Sequence, residues 1–175
     1  MVARVSDAAF GKPLVNNVLR GLVVETTIAF ALEPEWTWCG ADYASCDFER
    51  ADGLRLEVKQ SAYRQSWDSA PTAKVRPGFD IRPRKVRWEG SVRIDEAGRF
   101  ADIYVFAFHG GTDDSADHRD ARQWEFYVVP TAALPPYNRI ALGSVRRLAQ
   151  PCSFAALRSC VNDLAVSLHP NRTIA

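Results

Sequence analysis

The sequence predicts a mixed α/β (α+β) domain in which a central β-sheet is flanked by helices. Three patterns carry that expectation. Residues 14–32 repeat apolar side chains at helical spacing, and residues 153–168 do the same with apolar positions at 154, 157, 161, 164, 165 and 168. Between them, residues 102–108 (DIYVFAF) form an apolar run of the kind that a central strand shows when both of its faces are covered. The 175 residues, 47% hydrophobic with five Trp, are enough for one domain, 1–175, with a real core, and are far from a disordered composition. No apolar stretch reaches the roughly 18 residues of a membrane span, and residues 1–12 lack the apolar segment of a signal peptide. A cytoplasmic protein that does not enter the membrane is expected.

The elements follow in order. Pro13 suits the first turn of the helix at 14–32, and Pro34 lies just past its end. Residues 43–49 and 54–62 read as two strands joined around Asp52-Gly53, a hairpin signal. A short strand is expected at 79–81 and the central strand at 102–108. Residues 110–122 are polar and Asp-rich, hence a loop rather than a helix. A strand at 124–129 ends at Pro130, an edge strand is expected at 139–142, and a short helix at 143–149. Ser153 is the natural N-cap of the last helix. No repeat or linker divides the chain.

Cys39, Cys46, Cys152 and Cys160 show no metal-binding spacing, so reduced core cysteines are expected rather than zinc or disulfides. The net charge of +1 does not single out a nucleic-acid binder. Among the 22 basic residues only Lys12, Lys59, Lys74 and Lys85 are lysines, an Arg bias with abundant Ala that points to a GC-rich, bacterial genome.

Chemistry enters with Glu25. On a helix its same-face neighbours are Val18, Gly21, Leu22, Ile28, Ala29 and Leu32, and a carboxylate on an apolar face is costly unless paired or bound to a cation. Taken alone, a Glu at the rim of that face reaching solvent or an Arg explains it. In the second hairpin strand, Leu54, Leu56 and Val58 alternate with Arg55, Glu57 and Lys59, and Asp47 in the preceding strand can face Glu57 across the ladder. An ordinary solvated strand face would look the same. Together, however, two or three carboxylates can hold Mg²⁺ through oxygen ligands while a lysine offsets phosphate charge, which is what phosphodiester hydrolysis needs.

The ordered set of Glu25, Asp47, a nine-residue gap and Glu57-Val58-Lys59 resembles the PD-(D/E)XK nuclease superfamily, in an uncharacterised bacterial branch. The runs LEVKQSAY (56–63), ADIYVF (101–106) and QWEFYVVP (123–130) extend the resemblance over nearly the whole chain. It implies a restriction-endonuclease-like core and a metal-dependent nuclease. Glu25, Asp47 and Glu57 would be metal ligands, with the Val58 carbonyl completing the shell, Lys59 the catalytic lysine, and Mg²⁺ or substituting Mn²⁺ the cofactor. Gln60 beside the lysine also occurs in some branches. Two departures stand out: Cys46 rather than Pro precedes Asp47, and 110–122 supplies no helix between the later core strands.

Between Lys74 and Trp88 lie Lys74, Arg76, Arg82, Arg84, Lys85 and Arg87 against the single acid Asp80. With Gln60, residues Arg82, Arg84 and Lys85 are the expected substrate contacts, suited to a phosphate backbone; a solvated flap balanced by Asp113, Asp114, Asp117 and Asp120 is the bland counterpart. Tyr63, Gln65 and Trp67 either touch substrate or pack at the strand end. Asp102 is expected to cap its strand and pair with an Arg such as Arg99; His109, His118 and His169 are isolated. The leading expectation is a DNA endonuclease, DNA being favoured over RNA, with a homodimer for cutting both strands. The alternatives are a catalytically silent nuclease-fold protein that binds nucleic acid or a partner protein, and an unrelated α+β scaffold.

Overall fold

A computed structural model describes residues 1–40, 44–66, 76–89 and 92–168. Two helices, α1 (Val2–Phe10) and α2 (Arg20–Leu32), lead into strands β1 (Trp36–Trp38), β2 (Phe48–Arg50) and β3 (Arg55–Ala62). Then come β4 (Gly78–Asp80), β5 (Arg87–Glu89), β6 (Val92–Ile94), β7 (Ile103–His109) and β8 (Trp124–Pro130), and finally β9 (Arg139–Ala141), α3 (Leu142–Leu148) and α4 (Phe154–Leu168). The main sheet runs β1-β2-β3-β7-β8 and is mixed: β3 and β7 are parallel, and the other neighbours are antiparallel.

All seven residues of β7 are buried, as an apolar run without alternation demands. Ile103, Val105 and Ala107 meet Val24, Ile28 and Leu32 of α2 and Leu157, Val161 and Ala165 of α4 in one core. Tyr104, Phe106 and Phe108 enter a second core, against Phe79, Ile81, Ile140, Leu142 and Val145. The sheet is therefore covered on one face by α2 and α4. On the other it is covered by the small β4-β9 sheet and α3.

The first helix is shorter than the periodicity predicts. The Asn16 side chain accepts from the Val18 and Leu19 amides, and Leu14 pairs with the 113–120 loop through Asp117 Oδ1 and the His118 amide, so 14–19 is tied to that loop instead of coiling. Helix α1, strand β1 and the β5-β6 hairpin have no counterpart among the expected elements; α1 buries none of its residues and the strands hold three residues each. The hairpin around Asp52-Gly53 forms as expected, with Gly53 at φ +87°, a region that disfavours any side chain, and with Asp52 salt-bridged to Arg50. Pro130 is the last residue of β8 rather than the residue after it. The expected start of a strand at Tyr43, together with Trp67, Lys74 and His169, lies outside the described residues. Among the described residues no helix is long and apolar enough to cross a membrane.

Because α2 carries Glu25 and is held by its buried face, truncating Ile28, which is fully buried, should loosen that support. Ile28→Ala is expected to lower the unfolding free energy by about 2–5 kcal/mol, read as a lower urea midpoint at unchanged slope.

Candidate active site

Strands β2 and β3 part early, and the site grows from that parting. Their ladder holds only Glu49↔Arg55 and Phe48↔Leu56, closed by the Asp47 amide on the Leu56 carbonyl. That last bond is one residue out of register, so the regular pairing breaks at Asp47, whose carboxylate is left near Glu57. Among the described residues, no strand then lies beside the β3 edge beyond Leu56 on that side. The Val58 amide is met there by a side chain, donating to Asp47 Oδ2 at 2.6 Å. An amide and carbonyl of one strand residue point the same way, so the Val58 carbonyl faces this open edge too.

Glu57 and Lys59 share the β3 face that looks toward the second core. Glu57 is buried, and its carboxylate is held by two cations, Lys59 Nζ at 2.6 Å and the Arg84 guanidinium at 3.1 and 3.3 Å. Arg84 also donates to the Ala44 carbonyl at 2.8 Å, which ties the basic segment to the chain just before Asp47. Glu25 comes from α2. It is half-buried at the border between buried Val24, Ile28 and Ala29 and exposed Leu22 and Phe30, so it occupies the rim of the apolar face and not its centre. Its carboxylate accepts from the Trp38 indole at 3.2 Å.

Two adjoining cavities meet at Arg84. One, about 340 Å³, is lined by Glu25, Asp47, Trp38 and Arg84; the other, about 460 Å³, by Glu57, Lys59, Arg82, Arg84, Lys85 and Tyr104. The carboxylates sense one another across this boundary. Burial, then the Glu57 charge, pushes the Asp47 carboxyl up to about 7, with Glu25 adding to the rise and the Val58 amide and Lys59 opposing it. Burial likewise raises Glu25, against the Trp38 hydrogen bond, with Glu57 contributing. Tyr104, beside Glu57 in the β3-β7 register, is pushed up to about 12 by burial and then by that carboxylate.

Three carboxylates and a strand carbonyl around a shared boundary are the hard oxygen donors that Mg²⁺ or Mn²⁺ prefers, and burial is the main cause of the raised Asp47 and Glu25, with the neighbouring carboxylates adding to it. The donor chemistry fits. The side chains are not yet gathered: among the described residues no three His, Cys, Asp or Glu groups stand together as a ligand cluster, because Glu57 is turned to Lys59 and Arg84 and Glu25 to Trp38.

Of the expected substrate contacts, Arg82, Arg84 and Lys85 line the larger cavity with Lys59, but Gln60 does not. Successive strand residues face opposite ways, so Gln60 turns toward α2, where its side-chain oxygen accepts from Arg20. Asp102 caps β3, accepting from the Arg55 amide at 2.9 Å, and is not the partner of Arg99, whose guanidinium donates to the Ile81, Pro135 and Tyr137 carbonyls. Tyr63 packs edge-on against Phe108, Gln65 accepts from Arg20, and His109 and His118 are buried against Trp124. All four cysteines are free. Trp38, Tyr104, Trp88 and Phe100 belong to the site without having been singled out in the sequence. Tyr104 lies beside Glu57 through the parallel β3-β7 register, which the sequence does not reveal.

Asp47 yields a pH test. A carboxyl whose folded value lies above the ordinary range stabilises the fold while protonated, and that contribution fades as pH rises from about 4 through about 7. The metal-free Asp47→Asn protein keeps an acceptor for the Val58 amide but cannot ionise. It is expected to melt higher than the wild type at about pH 8, with the difference closing at about pH 4. Melting curves across that range check it.

Comparisons with known proteins are sparse. No family model and no curated protein sequence matches the chain. In structure it is similar to a bacterial homing endonuclease, I-Ssp6803I, at 19% sequence identity and a TM-score of 0.48, over 90% of this chain and 99% of that one.

Proposed function

We propose that the chain is a metal-dependent phosphodiesterase, a DNA endonuclease in first place, whose site is Glu25, Asp47, Glu57 and Lys59. The observation that supports it most is the parting of β2 and β3, which faces Asp47 toward Glu57 and Lys59 at an open strand edge with Glu25 in the same electrostatic neighbourhood. These are also the residues through which the sequence resembles the PD-(D/E)XK superfamily. Glu25, Asp47, Glu57 and the Val58 carbonyl would hold Mg²⁺, which when bound supplies a Lewis acid that polarises the phosphate and makes water more acidic.

The chain's own groups do the rest. A phosphodiester arriving at the larger cavity meets Arg82, Arg84 and Lys85, and its negative charge competes with Glu57 for the Arg84 guanidinium. Lys59, only partly exposed and drawn toward Glu57, keeps its ammonium where charge grows on the transferring phosphate and can orient the attacking water. Glu57 thus positions Lys59 in the free protein. A homodimer would supply the two sites needed to cut both strands of a duplex.

A second reading has its own support: Glu57 already neutralised by Lys59 and Arg84 suits a protein that binds nucleic acid without cutting it. Incubating the protein with supercoiled plasmid in Mg²⁺ or Mn²⁺ separates the two. Wild type should nick or linearise the plasmid, EDTA should abolish this, and Lys59→Ala and Glu57→Gln should each reduce the rate at least about 100-fold. Identical plasmid patterns for wild type and Lys59→Ala would exclude the enzymatic reading. In calorimetry, Mn²⁺ binding should disappear in an Asp47→Ala, Glu57→Ala double variant.

A further inference from the structure

We propose that the larger cavity is a pocket for an unpaired nucleobase, so that the substrate is a single-stranded or locally opened nucleic acid. The inference rests on reading the neighbouring carboxylate-lysine site as a phosphodiesterase and names the substrate class for it. Phosphate contacts alone do not account for the cavity's walls. Beside its cations stand three aromatic side chains, Trp88, Phe100 and Tyr104. Aromatic faces stack on any base, while flanking Arg and Lys meet the connecting phosphates, and this pairing of features recurs where proteins bind single strands without reading sequence.

Position makes the pocket relevant to the chemistry. Tyr104 is the β7 partner of Glu57, one strand spacing of about 4.8 Å away, and Glu57 and Lys59 line the same cavity. A base held against Trp88 and Phe100, over a floor that includes buried Tyr104, would lie in the same cavity as Lys59 and bring its phosphates within that residue's surroundings. A paired base is stacked inside the duplex and could enter only after unpairing, which costs free energy, whereas a strand already single needs no such step.

The pocket is also built before any ligand arrives. The Ser45 hydroxyl donates to the Trp88 carbonyl at 3.0 Å, and the Trp88 amide donates back to that oxygen at 3.1 Å, which fixes the β5-β6 hairpin to the residue two before Asp47. Arg84 and Gly98 exchange two backbone hydrogen bonds of 2.9 Å, closing the base of the same flap. A side chain at position 98 would begin 3.3 Å from the Phe100 ring, so glycine there leaves that ring its place. Arg99 is spent on three carbonyls and holds the wall instead of a ligand. A preformed aromatic slot loses little ordering entropy when a base enters.

The test compares, in EDTA to prevent cleavage, a fluorescent single-stranded oligonucleotide with an abasic strand of equal length and charge. Wild type should bind the base-bearing strand about tenfold more tightly, and Trp88→Ala and Phe100→Leu should each cut that ratio to about twofold or less. Melting curves verify that both variants fold, and the wild-type comparison requires neither. Equal wild-type affinity for the two strands overturns the pocket, as does a preference unchanged in both folded variants. Cleavage assays run in parallel keep the two ideas apart. Base-dependent binding without metal-dependent cutting would remove the phosphodiesterase and keep the pocket, whereas cutting with base-independent binding would do the reverse.

Discussion

A single backbone amide organises this molecule's site. The β2-β3 pairing stops at Phe48, so the Val58 amide would be left at an edge with no described strand to receive it, and an unsatisfied backbone donor is costly wherever water is excluded. The Asp47 carboxylate fills that vacancy at 2.6 Å. In doing so it is drawn into a half-buried position near Glu57, and from there follow its raised proton affinity and its interaction with Glu25. A ladder one residue longer would satisfy the same amide with a carbonyl and leave no site.

The arrangement is a balance of charges with one group in two roles. Arg84 spans the boundary between the cavities, holding the buried Glu57 carboxylate with one end of its fork and the Ala44 carbonyl with the other. Leaving Glu57 buried without cations would be expensive, so Lys59 and Arg84 make the free protein tolerable. Those same cations are what an incoming phosphate would attract. On the proposed reading, the ion pairs of the free state would compete with a phosphate for the same groups instead of adding to it.

Much of this was legible from residue pattern alone. The unbroken apolar run of β7, the alternation in β3 and the Asp52-Gly53 turn announced the central sheet, because burial on two faces, burial on one and a positive φ each leave a distinct trace in sequence. Strand β1 and the β5-β6 hairpin left none, since their three-residue runs show no period, and so Trp38 and Trp88 went unnoticed. Helix α2 was overdrawn because Asn16 competes for backbone amides in a way that apolar spacing does not reveal. Gln60 was misplaced for another reason. Adjacency in sequence to Lys59 is opposition across a strand, and that sends it to Arg20 on the far face.

The parallel pairing of β3 with β7 has a temporal side. Every residue of β3 from Leu56 to Ala62 meets a partner 47 positions later in the chain, so the strand bearing Glu57 and Lys59 stays without its inner neighbour until a long intervening segment has been drawn in. Closing such a loop costs entropy before any pair rewards it, and topologies rich in distant pairings fold slowly. The β2-β3 hairpin, by contrast, closes locally around Gly53. Chain entropy thus orders the events of assembly: the hairpin that faces Asp47 toward Glu57 can form early, and the wall that carries Tyr104 arrives late.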